Sequence, residues 1–88
     1  MPKVWIPALL LPLSGGKQAV IVPGKTIQQV IDNLELKYPG IRERLLDGER
    51  LRASILVMVD GVISQDKLHH KLENDSEVHF IPAICGGS

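Results

Sequence analysis

TIQQVIDNLELKYPG, residues 26–40, is the stretch on which the architecture turns. Thr26 suits an N-cap, because its hydroxyl oxygen can accept from one of the backbone N–H groups that a first helical turn leaves without a partner. Gln29, three residues later, is the capping-box partner. Ile27, Val30, Ile31, Leu34 and Tyr38 recur at spacings of three and four and so fall on one face. Pro39-Gly40 then ends the run. The product is an amphipathic helix of about eleven residues whose apolar stripe must be covered by a second layer.

On either side of this helix the pattern is that of strands. Upstream, VWIPALLL reads as a first strand from Val4 to about Leu10, in which Pro7 removes a ladder donor and points to an edge or a bulge. SGGK at 14–17 is a turn and QAVIV at 18–22 a second strand, so the two form a hairpin. Downstream, IRERLLDG at 41–48 predicts one or two further helical turns anchored by Ile41, Leu45 and Leu46 and closed by Asp47-Gly48. ASILVMVDG at 53–61 is a strand whose continuous apolar character predicts burial on both faces or a place in the sheet centre, with Asp60-Gly61 as its closing turn. Residues 62–75 read mostly as loop pinned by Leu68 and Leu72, and EVHFIPA at 77–83 as a last strand with Val78, Phe80 and Ala83 turned inward. The order hairpin, helix, strand, loop, strand predicts an α+β chain of the ubiquitin-like β-grasp kind: a mixed sheet of four or five strands on one main helix, its other face open. A split βαβ arrangement needs a second helix that residues 62–75 cannot supply. The expected division is a β-grasp domain over 1–84 and a flexible tail over 85–88.

Composition agrees with one small domain. Trp5, Tyr38 and Phe80 are the only aromatic residues, so the core is built from Val, Ile and Leu, whose branched members favour strands. Ten basic and ten acidic residues cancel, which removes the broad positive field that nucleic acid or an anionic membrane would need; neither is an expected partner. Acidic groups concentrate in the second half and offer a face for a basic partner. Cys85 is the one cysteine, which excludes an internal disulfide and fits a reducing cytoplasm. The start MPKVWIPALLLPL has a lysine and an apolar run, but Pro7 and Pro12 interrupt it and no small-residue cleavage box is present. No apolar run reaches bilayer-spanning length.

Side chains that could do chemistry are sparse. His69, His70 and His79 lack cysteine or carboxylate neighbours at metal-ligand spacing, so no metal site is expected. SGGK has neither the eight-residue frame of a phosphate loop nor a helix directly after it. No Ser-His-Asp or Cys-His set falls on neighbouring rigid elements, and Asp60, Asp66, Glu73, Asp75 and Glu77 sit at turns or in polar loop. Trp5 reads as partial core or as a surface anchor. The chain is expected to bind no cofactor and to be no enzyme by itself. There remains the end, CGGS: two glycines without Cβ atoms can pass through a channel too narrow for other residues. A carboxylate delivered there is a poor acyl donor until ATP converts it to an acyl adenylate.

IPALLLPLSGG at 6–16, the helix region at 26–47, ILVMVDG at 55–61 and KLENDSEVHFIPAICGG at 71–87 together resemble the MoaD/ThiS family of ubiquitin-like sulfur carriers. The resemblance implies that an E1-like adenylating enzyme, using ATP, activates the carboxylate of Gly87. Sulfur then replaces AMP to leave a thiocarboxylate, from which a synthase of the molybdopterin, cysteine or thiamin routes draws sulfur. It assigns Gly86 and Gly87 to the reactive tail and Phe80 and Ile81 to the strand leading to it. The exposed apolar face of the sheet becomes the docking face, with Asp75 and Glu77 as rim contacts. Ser88 departs from the family pattern, because Gly87 has no free carboxylate until a C-terminal peptidase removes the serine. ENDSEV replaces the family's more usual DGDEV. Cys85 fills a small apolar position, and a thiol there could also capture the activated acyl group. Two other readings stay open: a β-grasp binding module with an unactivated tail, and a protein-conjugating modifier that transfers Gly87 to lysine.

Overall fold

The computed structural model describes residues 1–83; Ile84–Ser88 lie outside the described residues. Along the chain come β1 (Lys3–Trp5), β2 (Ala19–Ile21), α1 (Ile27–Lys37), α2 (Ile41–Leu45), β3 (Leu46–Asp47), β4 (Arg50–Leu51), β5 (Ile55–Val59), β6 (Val62–Ile63) and β7 (Glu77–Pro82). Single stretches of 3-10 helix cover Ala8–Ser14 and Lys67–His69. Five strands form one mixed sheet in the order β2-β1-β7-β5-β6, with β1 and β7 parallel at its centre and the other pairs antiparallel. β3 and β4 make a separate two-stranded hairpin. This is the β-grasp expected from the order of elements.

Because side chains alternate along a strand, register decides which residues meet the helix. Val4 pairs with Val20 and with Val78, Val78 with Val59, and Phe80 with Val57. All six belong to the core, together with Ile27, Val30, Ile31 and Leu34 from α1. α1 begins as the sequence predicts, with Thr26 Oγ1 accepting from Gln29 N at 3.2 Å. The reciprocal bond is displaced by one residue: the Gln29 carboxamide oxygen accepts from Lys25 N at 2.8 Å. Ile41, Leu45 and Leu46 are buried as anchors of α2.

Four expectations need correction. The first strand stops at Trp5, because Pro7 takes an extended conformation (φ −59°, ψ 147°) and leads into a 3-10 helix that folds Leu10 into the core. The β1–β2 connection is therefore a long arch. Its Gly15 and Gly16, at φ 65° and 86°, perform the turn expected of SGGK. β5 lies inside the sheet, between β7 and β6, and is not buried on both faces: Val57 and Val59 are inside while Leu56 is exposed, since only one side of the sheet carries helices. Residues 62–75 hold a short edge strand, β6, as well as loop; Leu68 is buried and Leu72 packs against the core as expected. Asp47-Gly48 does not simply end a helix: Asp47 closes β3 opposite Arg50, and Gly48-Glu49 is the tip of the hairpin β3–β4.

Candidate functional site

β7 places the root of the tail. Its Val78 and Phe80 are core residues, and Ala83 N donates to Ser54 O at 2.6 Å, so the strand is held up to the last described residue. Phe80 is thus turned away from solvent, and its contribution is to hold β7 in place. Ile81 points to the opposite face, in register with Leu56. Beside this pair a row of side chains crosses the open face: Ala19, Trp5, His79, Met58 and Ile63, each in register with the next. The open face expected from the sequence is therefore present, and it is built from every second residue of the strands.

Its middle is stiffened by an aromatic stack. The Trp5 and His79 rings lie 5.4 Å apart between centroids and within 8° of parallel. Trp5 Nε1 donates to a Glu77 carboxylate oxygen at 3.1 Å, and Lys3 Nζ stands 4.7 Å from the ring centroid of Trp5. Such contacts add to area burial by about 0.5–1.5 kcal/mol for an aromatic pair, less when exposed. Glu77 is thereby engaged on both sides, since its N–H also donates to Asp60 Oδ1 at 2.9 Å. Glu77 and Asp75 sit at the start of β7, while Ala83 comes after its end. Six residue steps along the strand separate Glu77 from Ala83, roughly 20 Å at the usual rise. Glu77 is thus at the opposite end of β7 from Ala83.

The other polar candidates act locally. Ser64, which is buried, has its Oγ 2.7 Å from His70 Nδ1 and accepts from Lys67 N at 3.0 Å, which ties the loop after β6. His69 N donates to Asp66 O within the short 3-10 turn. No group of three His, Cys, Asp or Glu residues able to hold a metal occurs among the described residues. Glu35 was not singled out from sequence, yet its carboxylate accepts from Arg42 N at 2.9 Å and from Gly40 N at 3.1 Å, capping the start of α2. The bond from Arg42 N, then that from Gly40 N, hold its carboxyl below the ordinary value of 4.5. Gly86, Gly87, Ser88 and Cys85, which carry the expected chemistry, lie outside the described residues. Among the described residues no helix is long and apolar enough to cross a membrane.

Comparison with known proteins fits this body and its terminal motif. The ThiS family model matches residues 4–87. The sulfur carrier protein CysO of Mycobacterium bovis is 36% identical over 89 aligned positions, which cover 96% of each chain. Among solved structures, CysO of Mycobacterium tuberculosis superposes with a TM-score of 0.89 at 30% identity, covering 96% of this chain and all of that one. The BexX/CysO complex of Amycolatopsis orientalis gives a TM-score of 0.91 at 29% identity over 99% of this chain and 100% of the matched chain. The small archaeal modifier protein 1 of Methanosarcina acetivorans, at 22% identity and a TM-score of 0.81, shares the fold.

A β-grasp sheet with one open apolar face, whose central strand leads in sequence to Gly-Gly, defines the class of ubiquitin-like carrier proteins. Within that class the chain belongs to the ThiS family.

Proposed function

We infer that the chain is a sulfur carrier, a protein substrate and not a catalyst, whose reactive group is the carboxylate of Gly87. The observation that carries this reading is the family match across residues 4–87, which takes in both the fold and Gly86-Gly87. In the first step the Gly87 carboxylate attacks the α-phosphorus of ATP, forming an acyl adenylate and releasing pyrophosphate. A sulfur nucleophile supplied by the activating system then adds to that carbonyl and expels AMP. Where that nucleophile is a persulfide, the product is an acyl disulfide; a second thiol attacks the donor's sulfur, the donor and that thiol leave joined as a disulfide, and a thiocarboxylate remains at Gly87 for a synthase to draw upon. ATP is consumed by the partner, and the carrier holds no cofactor of its own.

The body's part is to present this end. β7 is pinned in the middle of the sheet, so the route of the chain toward Gly87 starts from a rigid point, and the open face with Leu56, Ile81 and the Trp5–His79 stack offers the apolar area on which an E1-like enzyme and a synthase dock. Because Ser88 comes after Gly87 in the sequence, a peptidase must hydrolyse the Gly87–Ser88 bond before activation. The acceptor lies in cysteine, molybdopterin or thiamin synthesis.

Intact mass of the protein isolated from its native cells tests the reading. Loss of Ser88 and then a gain of about 16 Da, oxygen replaced by sulfur, is the expected record. Deletion of Gly87 abolishes the gain and Cys85→Ala leaves it intact. Thiocarboxylation that persists without Gly87 would overturn the assignment.

A further inference from the structure

At the root of the tail the surface opens into a groove of about 350 Å³, lined among others by Pro7, Leu9, Leu10, Ile55 and Pro82, with Arg44 as its charged member. Four separate parts of the chain meet here: the 3-10 turn after Pro7, α2, β5 and β7. Leu9 is 87% exposed, more than any other large apolar side chain among the described residues. It is not a core residue out of place. In a 3-10 helix successive side chains point about 120° apart, and burial of Leu10 and Ser14 fixes the turn with Leu9 outward.

Arg44 is exposed on α2 between the buried Ile41 and Leu45. Among the described residues the ion pair on α2 belongs to Arg42, with Asp32 at 3.1 Å, and Arg44 makes none. The guanidinium that braces α2 from outside is that of Arg52, which donates to Glu43 O. Arg44 therefore carries a charge that the described fold does not use, beside an apolar groove that water wets.

The covalent chain says what comes near. Ala83 also lines the groove, and Gly87 is four residues further on, at most about 14 Å when fully extended. Any enzyme that encloses Gly87 must bring its own surface within that distance of Arg44's groove. Ile55 and Pro82 line the groove from the helix side of the sheet, and Ile81, which pairs with Leu56 of the open face, also lines it, so the groove adjoins that face at the end of β7. A partner that contacts both would hold the end of β7 from two sides and so aim the short tail, which a single flat contact cannot do.

Resting on the carrier reading, we propose that this groove is a second docking site for the adenylating enzyme, filled by an apolar side chain of that enzyme whose neighbouring carboxylate pairs with Arg44. The open sheet face supplies the larger contact and the groove supplies direction. An apolar occupant fits the Pro and Leu lining, and a carboxylate answers the one unpaired cation of the groove.

The test is ATP-dependent pyrophosphate release by the E1-like enzyme acting on the form that ends at Gly87. Arg44→Glu raises KM about tenfold with kcat unchanged, and its KM depends less on salt than that of the wild type. Leu9→Ser raises KM about fivefold, and Arg44→Lys, which keeps the charge, less than about threefold. Arg50→Glu, the same charge change on β4, leaves KM where it was, and thermal melts show that every variant is folded. Equal KM values for Arg44→Glu and Arg50→Glu overturn the proposal. So does a defect of Arg44→Glu confined to the later transfer of sulfur, which would place the synthase in the groove. No pyrophosphate release from the wild-type form would instead refute the carrier reading on which the proposal rests.

Discussion

Gly24→Ala adds a methyl group where α1 leaves no room. A Cβ at this position lies 2.7 Å from Val30 Cγ2, 2.8 Å from Val30 N and 3.1 Å from Val30 Cα. Carbon contacts relax only near 3.5 Å. A rotamer change of Val30 relieves the first contact and leaves the other two, which are helix backbone. The segment before α1 must therefore lift by roughly 0.7 Å. Three hydrogen bonds hold that segment: Asn33 Nδ2 to Pro23 O at 2.7 Å, Lys25 N to Gln29 Oε1 at 2.8 Å and Leu72 N to Lys25 O at 2.8 Å. Overpacking of this kind costs about 1–3 kcal/mol, and weakening one bond adds about 1 kcal/mol. A loss of about 3 kcal/mol is expected, a large part of the 5–15 kcal/mol typical of a small domain. The thermal midpoint falls by roughly 12–24 °C. Circular dichroism melts and urea titrations with an unchanged slope measure it. Gly48→Ala is the control: a Cβ there meets no atom within 4 Å, and φ of +66° leaves only backbone strain of about 1–2 kcal/mol. If Gly24→Ala costs no more than Gly48→Ala, the steric reasoning is wrong.

Two further outcomes rest on the same geometry. Glu35 has its carboxyl lowered in the folded state by the N–H groups of Arg42 and Gly40, so its contribution is fully present above pH 4.5 and is lost as pH falls through the lowered folded value. Glu35→Gln should therefore flatten the acid limb of the stability curve, and urea titrations at stepped pH show the two proteins converging at the acid end; a gap that stays constant to the lowest pH counts against the cap. Leu56→Asp, on the exposed face of β5, is expected to leave the melting midpoint within about 5 °C, while binding to the adenylating enzyme weakens about tenfold or more by calorimetry. Unchanged affinity would remove the open face from the docking surface.

The helix was legible because its signals are local. Thr26, the apolar residues at three- and four-residue spacing and Pro39-Gly40 all act within a turn or two of one another, and α1 runs from Ile27 to Lys37 with Thr26 as its cap. β7 was legible for a related reason, since Val78 and Phe80 alternate with polar or half-exposed neighbours. β5 was legible as an interior strand but not in its burial, because five apolar residues in a row do not state how many layers will cover them. The 3-10 arch was hidden because Pro7 is compatible both with an edge strand and with the entry to a turn. The turn was chosen by the space beneath it, into which Leu10 folds.

The site divides along the same line. Gly86, Gly87 and the bond to Ser88 are covalent facts, and the chemistry assigned to the end of the chain rests on residue types read in order. Sequence alone therefore determined the helix and the expected β-grasp, and it carries the proposal of a reactive Gly87. The tertiary structure decided which apolar residues are left for a partner. Trp5 meets His79 because β1 and β7 pair in parallel in one register, and Arg44 and Pro82 line one groove although they lie far apart in the chain. Such meetings join residues far apart in the chain, and strand register and helix docking are set by the packing of the whole core, which no short window of sequence contains.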